Sequence, residues 1–315
     1  MVLTVNFGNG GAASVSSLTK LTDQEVYQLL TVSTTQEKNG VSLETGPLGT
    51  ISVAGTGSKV DVGYDANANG FTFDVTSEWN SVKNALIKSE RPENLKLKDF
   101  VHVDVQLGGT GSSNLEVLNT KRGNILTGAG NDTVAVSLLS NENTWVNAFT
   151  IDTGAGNDTI NVQRGAAFND ASAASPGGIV AGTYVANGGV GITNGRFTSV
   201  KIDAGAGNDE IDLSSVNLAS SMIIGGKGMD RMTASSGVDT FVFNKGDIGT
   251  WLATDTIFGF DASVDKLKLV GTTIDDWAVT SYGVNTLIVN ITLERGDESI
   301  ILSGVRLENN DWFTA

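Results

Sequence analysis

The residues of this chain whose type and spacing can do chemistry are aspartates that follow pairs of glycines. Three segments nearly coincide: Thr127-Gly-Ala-Gly-Asn-Asp132-Thr-Val134, Thr153-Gly-Ala-Gly-Asn-Asp158-Thr-Ile160 and Ala204-Gly-Ala-Gly-Asn-Asp209-Glu-Ile211. A fourth, Gly225-Gly-Lys-Gly-Met-Asp230-Arg-Met232, carries a full double glycine, and a fifth, Ala234-Ser-Ser-Gly237-Val-Asp239-Thr-Phe241, follows directly. A degenerate sixth, Gly108-Gly-Thr-Gly-Ser-Ser113-Asn-Leu115, has serine where the others have aspartate. Glycines permit left-handed backbone and let carbonyls point into a turn. Each aspartate adds a hard carboxylate oxygen. Ca²⁺ takes about six to eight oxygen ligands, so one turn cannot complete its shell, whereas two stacked turns can. Folding and metal binding are then coupled. Several Ca²⁺ ions are expected, and Ser113, which lacks the carboxylate, should bind weakly or not at all.

Stacked turns need strands to hold them. The residue two after each aspartate (Val134, Ile160, Ile211, Met232, Phe241) is apolar and should open a strand facing an interior. From Leu95 onward, short alternating segments recur between glycine-rich turns: Leu95–Leu97, Val101–Leu107, Leu115–Leu118, Val134–Val136 and Ile160–Val162. The fold class expected is mainly β, a parallel β-roll or β-helix solenoid with calcium-binding Gly-Asp turns, preceded by a small mixed α/β N-terminal region. Within residues 1–95, Val2–Phe7 alternates like a strand, as do Gly49–Val53 and Gly70–Val75. Thr22-Asp-Gln-Glu25 has capping-box form before Val26, Leu29 and Leu30, which predicts a helix. A second helix is predicted over Glu78–Ser89 from Trp79, Val82, Leu86 and Ile87. The solenoid is expected over 96–270 and a β cap over 271–315.

The repeated segments resemble the repeats-in-toxin family, whose nonapeptide G-G-x-G-x-D-x-U-x is a Ca²⁺-binding β-helix repeat. Asp239-Thr-Phe-Val-Phe243, Asp255-Thr-Ile-Phe-Gly-Phe-Asp261 and Asp265-Lys-Leu-Lys-Leu269 resemble the segment that closes such rolls in secreted proteases and lipases. The resemblance covers about residues 108–270. It implies calcium in the turns, with ligands from Thr127, Ala129 and Asp132, from Thr153, Ala155 and Asp158, from Ala204, Ala206 and Asp209, from Gly225, Lys227 and Asp230, and from Asp239. It also implies secretion from a bacterium by a type I system, without a cleaved signal peptide, through an export signal in 271–315. Met1 and that tail read as the ends of a whole chain.

The spacing departs from the family. Successive aspartates are separated by steps of 26, 51, 21 and 9 residues, and only the last is the nonapeptide. Same-side turns of a regular roll lie about 18 residues apart. Steps of 21 and 26 fit an enlarged coil, and the step of 51 fits a coil with an insertion, placed at about 164–196. Asp132, Asp158, Asp209 and Asp230 should therefore line one edge, with Asp239 on the opposite edge. Such irregular coils resemble bacterial S-layer and surface-matrix relatives more than toxin rolls.

Composition narrows the functions. The formal charge is −15, which disfavours nucleic acid and anionic lipid as partners. There is no cysteine, hence no disulfide and no thiolate chemistry. With 39 glycines and 3 prolines, an ordered fold rich in tight turns is favoured over disorder. The N-terminus has no Sec-type signal, and no run approaches the ~18 apolar residues of a membrane span. His102 is the only histidine, so a His-Glu-x-x-His metalloprotease centre cannot form. It reads as a structural strand residue. No Gly-x-Ser-x-Gly elbow occurs. Asp61, Asp104 and Asp275-Asp276 are acid–base candidates by residue type alone, and Trp251, Trp277 and Trp312 are candidates for stacking on sugars.

These readings point to a secreted, calcium-binding structural protein rather than an enzyme. It would fold on Ca²⁺ and self-assemble into a surface layer, matrix fibre or adhesive coat. The homopolymer would form through the solenoid ends and a free N-terminal arm at 1–13, with cell-surface polysaccharide as a further candidate partner. The alternative is a small secreted polysaccharide-active enzyme or carbohydrate-binding module carrying the same solenoid.

Overall fold

The computed structural model describes residues 2–8, 36–38, 41–43, 45–54, 60–67, 70–77, 84–89, 92, 94–98, 100, 102–138, 148–164, 178–180, 183–185, 191–192, 199–216, 218–244, 246–248, 254–290, 299–307 and 313–314. Two large sheets dominate. The first has eleven strands in the order Val2–Gly8, Thr45–Ala54, Asn84–Ser89, His102–Gln106, Arg122–Leu126, Ala148–Asp152, Ser199–Asp203, Ser220–Ile224, Asp239–Asn244, Lys266–Val270 and Phe313–Thr314. The second has twelve: Val60–Asn67, Gly70–Ser77, Asn94–Lys98, Asn114–Thr120, Thr133–Leu138, Thr159–Arg164, Glu210–Asp212, Arg231–Thr233, Asp255–Phe258, Ser299–Ser303, Asn285–Asn290 and Trp277–Tyr282.

Between Asn94 and Val270 the chain alternates between the sheets, and each strand pairs in parallel with the strand one coil earlier. The protein is thus mainly β with parallel-stranded sheets, an arrangement compatible with a β-solenoid. Each full coil buries its alternate residues between the two faces. Leu95 and Leu97, Leu115 and Val117, Val134 and Val136 come from the second sheet, and Phe149, Ile151, Val200 and Ile202 from the first, all at most 2% exposed. At about 1.5–3 kcal/mol for each fully buried aliphatic side chain, this core supplies the main drive for coiling. The register leaves no freedom to slip, since a one-residue shift would turn every apolar residue outward.

The expected insertion is an element of its own. Between Thr159–Arg164 and Ser199–Asp203 the chain makes a separate three-stranded antiparallel sheet from Gly178–Val180, Thr183–Val185 and Gly191–Ile192. The chain then rejoins the stack in register, Thr150 opposite Lys201. At the far end, Trp277–Tyr282 and Asn285–Asn290 form an antiparallel hairpin on Ser299–Ser303.

Two expectations for the N-terminal region are corrected. The helix predicted over 78–89 is a strand in its described part, Asn84–Ser89, which pairs with Thr45–Ala54 and with His102–Gln106. Ala85, Ile87 and Ser89 are all buried, at the spacing of two that one face of a strand has. Two neighbouring strand edges outweighed a weak helical period. The helix expected after Thr22 lies outside the described residues, and every described element within 1–95 is a strand. Val2–Gly8 is not a free arm: it pairs antiparallel with Thr45–Ala54. Residues 9–13 lie outside the described residues. The sheets also run unbroken across residue 95, for Gly70–Ser77 pairs in parallel with Asn94–Lys98.

Candidate functional site

The passages from the first sheet to the second at residues 107–113, 127–132, 153–158, 204–209 and 225–230 run through the glycine-rich turns. Both glycines of a repeat have positive φ: 84° and 139° at Gly154 and Gly156, 91° and 152° at Gly205 and Gly207. That backbone lets the turns stack directly. The N–H of Ala155 donates to the Gly128 carbonyl at 3.1 Å and that of Ala206 to Gly154 at 2.9 Å. In return the carbonyls of Ala155, Ala206 and Lys227 accept from Gly130, Gly156 and Gly207 at 2.6–2.8 Å.

The aspartates form one column along this edge. The backbone N–H of Ser113 donates to Oδ1 of Asp132 at 2.6 Å, and that of Asp132 to Asp158 at 2.7 Å. Asp209 accepts from Asp158 at 2.7 Å, Asp230 from Asp209 at 2.9 Å, and Asp255 from Asp230 at 2.8 Å. All five aspartates are buried. The asparagine before Asp132, Asp158 and Asp209 works in the opposite sense on the exposed side. Asn131 Oδ1 accepts from the N–H of Asn157, Asn157 from Asn208, and Asn208 from Met229, at 2.8–2.9 Å. The Asn-Asp pair therefore staples each turn forward and backward.

The second carboxylate oxygens differ along the column. Oδ2 of Asp132 accepts from the Thr127 hydroxyl at 2.6 Å. The Thr127 hydroxyl also reaches the Thr153 carbonyl at 3.3 Å. The Thr153 hydroxyl reaches the Ala204 carbonyl at 3.2 Å, and it partly offsets the rise that burial imposes on Asp158. The corresponding positions of the next turns, Ala204 and Gly225, have no hydroxyl. Oδ2 of Asp158, Asp209, Asp230 and Asp255 is buried without a hydrogen-bond partner. A buried carboxylate oxygen with no donor is costly. Neighbouring coils stand about 4.8 Å apart, so two adjacent ionised carboxylates would repel by about 3 kcal/mol at an effective dielectric near 20. Burial pushes Asp209 up to about 7, Asp230 to about 6 and Asp255 to about 8; like charge from column neighbours adds at Asp209 and Asp255, and from Asp247 at Asp230 and Asp255. Burial also raises Asp132 and Asp158.

Asp239 lies on the opposite edge, and its surroundings are complete. Its carboxylate accepts from the Ser221 hydroxyl and from both the N–H and the hydroxyl of Ser235, at 2.8 Å and 3.0 Å for Ser235. The N–H of Asp239 donates in turn to Asp265, which also accepts from Asp261. Two members of these columns, Asp255 and Asp265, are absent from the ligand set expected from the sequence. The signal for Asp255 was present, since Asp255-Thr-Ile257 repeats the aspartate-to-apolar offset, but no paired glycines precede it.

The donor set at the first edge is all oxygen, as a hard cation requires. Four buried carboxylate oxygens are free, and the turn carbonyls, with one hydrogen bond each, keep a second lone pair. Among the described residues no group of three acidic or histidine side chains converges on one point. A cation here would therefore rest on backbone carbonyls as much as on carboxylates. The other candidates do not come together. His102 is half-buried on its strand, its imidazole held below the ordinary value by burial and by Arg122. Asp276 caps the turn at Thr273, accepting its N–H at 2.6 Å. Asp104 accepts from Gln106 at 3.4 Å. Trp277 is buried, its Nε1 donating to Thr272 at 3.0 Å. The Asp61 side chain, Trp251 and Trp312 lie outside the described residues.

Fold and site together define a mainly-β protein of parallel-stranded sheets with a buried acidic column along one edge. No protein-family model matches the chain, and no curated protein matches it significantly. Among the described residues no helix is long and apolar enough to cross a membrane.

Proposed function

We propose that this chain is a secreted structural protein of the repeats-in-toxin kind, whose parallel coils take up Ca²⁺ along the Asp132–Asp255 edge and which self-associates into an extracellular layer or matrix. The observation that carries the reading is the run of buried, donorless Oδ2 atoms at Asp158, Asp209, Asp230 and Asp255. Ca²⁺ would neutralise the column and cross-link successive turns. Asp158, Asp209 and Asp230 would offer carboxylates, with carbonyls from the turns at 153–155, 204–206 and 225–227. Asp255 joins this set on the same grounds. Asp132 and Asp239, whose oxygens already have hydroxyl or amide donors, contribute less.

Export by a type I route fits this chemistry. Where free Ca²⁺ is scarce the carboxylates oppose coiling, and where it is abundant they favour it. The test is circular dichroism of the purified chain titrated with Ca²⁺ and returned to chelator, followed by electron microscopy of both states. Calcium-dependent gain of β structure and ordered assemblies support the reading. A chain equally folded in both, or monodisperse monomers with Ca²⁺, defeats the corresponding half of it.

A further inference from the structure

The two sheets do not end level. At one end Val60–Asn67 closes the second sheet beside Gly70–Ser77, and the first sheet runs one strand further, from Thr45–Ala54 to Val2–Gly8. At the other end Phe313–Thr314 closes the first sheet level with Ser299–Ser303, and the second sheet runs two strands further, to Trp277–Tyr282. Each end is thus a step, with opposite sheets protruding. Among the described residues these outermost strands have one neighbour each. An open edge is a row of unpaired N–H and C=O groups, which sheets ordinarily blunt with charge or proline. Trp277–Tyr282 (Trp-Ala-Val-Thr-Ser-Tyr) has neither. Val279 is 40% exposed, and Val284 at the hairpin tip 70%.

Strand directions select the partner. Val60–Asn67 runs against the coil strands of its sheet, being antiparallel to Gly70–Ser77. Trp277–Tyr282 runs with them, being antiparallel to a strand that is itself antiparallel to Ser299–Ser303. A second copy translated along the stack lays these strands side by side in opposite directions, as an antiparallel ladder needs. The steps then nearly mesh, leaving room for one strand in the first sheet. Joining two Trp277–Tyr282 ends by a two-fold axis would instead leave a gap of four strands there, and joining two Val2–Gly8 ends a gap of two in the second sheet. We propose that copies of this chain join head to tail, Trp277–Tyr282 of one copy pairing antiparallel with Val60–Asn67 of the next. This rests on the self-association in the proposed function and adds the strands and the polarity. A heterologous contact of this kind does not close on itself and grows a fibre.

The two-residue turn at Gly283 and Val284 makes Tyr282–Asn285 a hydrogen-bonded pair, so the N–H groups of Val279 and Ser281 face the open edge. By the same alternation from Asn67–Gly70, the N–H of Tyr64 faces outward at the other end. Val279→Pro and Tyr64→Pro each remove an outward donor without taking a bond from their own hairpins. The test is analytical ultracentrifugation in millimolar Ca²⁺. The parent should form long species, each variant alone should stay monomeric, and an equimolar mixture should form dimers and nothing larger. Val279→Lys, which charges the edge and leaves the backbone intact, should behave as Val279→Pro and decides the matter if the proline variant does not fold. If the parent polymerises and a folded variant polymerises equally, or the mixture gives no dimers, this pairing is wrong and the layer reading stands. If the parent itself stays monomeric, both fall.

Discussion

The backbone N–H of Asp158 donates to Oδ1 of Asp209 at 2.7 Å, although the two residues are 51 apart in sequence. Between them the chain leaves the stack, builds a small sheet of its own and returns to the same register. The aspartate thus has two separable roles. One oxygen staples neighbouring turns without any metal. The other is buried and free at four successive positions. The free oxygen, not the staple, is where a cation or a proton can act.

Substitutions at Asp209 separate the roles. Asp209→Asn keeps an acceptor for the Asp158 N–H and replaces a charge by an amide, whereas Asp209→Ala loses both. In chelator at pH 8, Asn should equal or exceed the parent in urea stability, while Ala should lose about 1–3 kcal/mol. In a calcium titration followed by circular dichroism, Asn should need about tenfold more Ca²⁺, the loss of roughly 1.4 kcal/mol of binding free energy. An unchanged titration removes Asp209 from the ligands.

The column also sets a pH dependence. Burial raises Asp209 from 3.8 to about 7, Asp230 from 3.8 to about 6 and Asp255 from 3.8 to about 8 in the folded chain. The folded state therefore binds more protons than the unfolded one. The stability this contributes is full below pH 3.8 and is lost as pH rises through about 6 to 8. Calcium-free protein should have a higher urea midpoint at pH 5 than at pH 8, and saturating Ca²⁺ should reduce or reverse that difference. A calcium-free midpoint that rises with pH contradicts the buried, donorless placement.

Gly207 is demanded twice over. Its φ is 152°, and an added Cβ would lie 1.6 Å from the Gly156 carbonyl oxygen of the turn before it. Gly207→Ala should cost about 3 kcal/mol or more, from left-handed strain and overpacking together. Gly246→Ala, also at positive φ but with nothing within 4 Å of the added atom, should cost only the strain, about 1–2 kcal/mol. Thermal melts of the two variants measure the difference.

The exposed staple is worth less than the buried one. Asn157→Ala removes the acceptor for the Asn208 N–H at the surface, where water can replace it. The expected loss is about 0.5–1.5 kcal/mol, with faster hydrogen exchange at the Asn208 amide. Asp158→Ala, which orphans the buried Asp132 N–H, should lose more.

Much of the edge was legible in the sequence because its signal is local. A G-x-G-x-D turn needs two positive φ values and one short acceptor, and Gly154, Gly156 and Asp158 supply them within a few residues. The apolar residue after each aspartate does point inward, as Val134, Ile160, Ile211 and Met232 show. The strand at Asn84–Ser89 was not legible, because the edges that pair with it come from Thr45–Ala54 and His102–Gln106, which its own periodicity cannot register. Asp255 was legible only in part: its offset to Ile257 matches the repeat, but no paired glycines precede it, and its place in the column is conferred by Asp230, 25 residues earlier.

By itself the amino-acid sequence determined the turns, the inward-facing residues and which aspartates belong to one repeat, since backbone chirality and side-chain period act over a few residues. Only the tertiary structure decided which carboxylate oxygens are satisfied and which are not. That outcome depends on the hydroxyl or amide supplied nearby, such as Thr127 for Asp132 and Ser221 and Ser235 for Asp239. Stacking also removes water from the column, and a carboxylate oxygen that would be solvated in an isolated turn becomes a buried group without a donor.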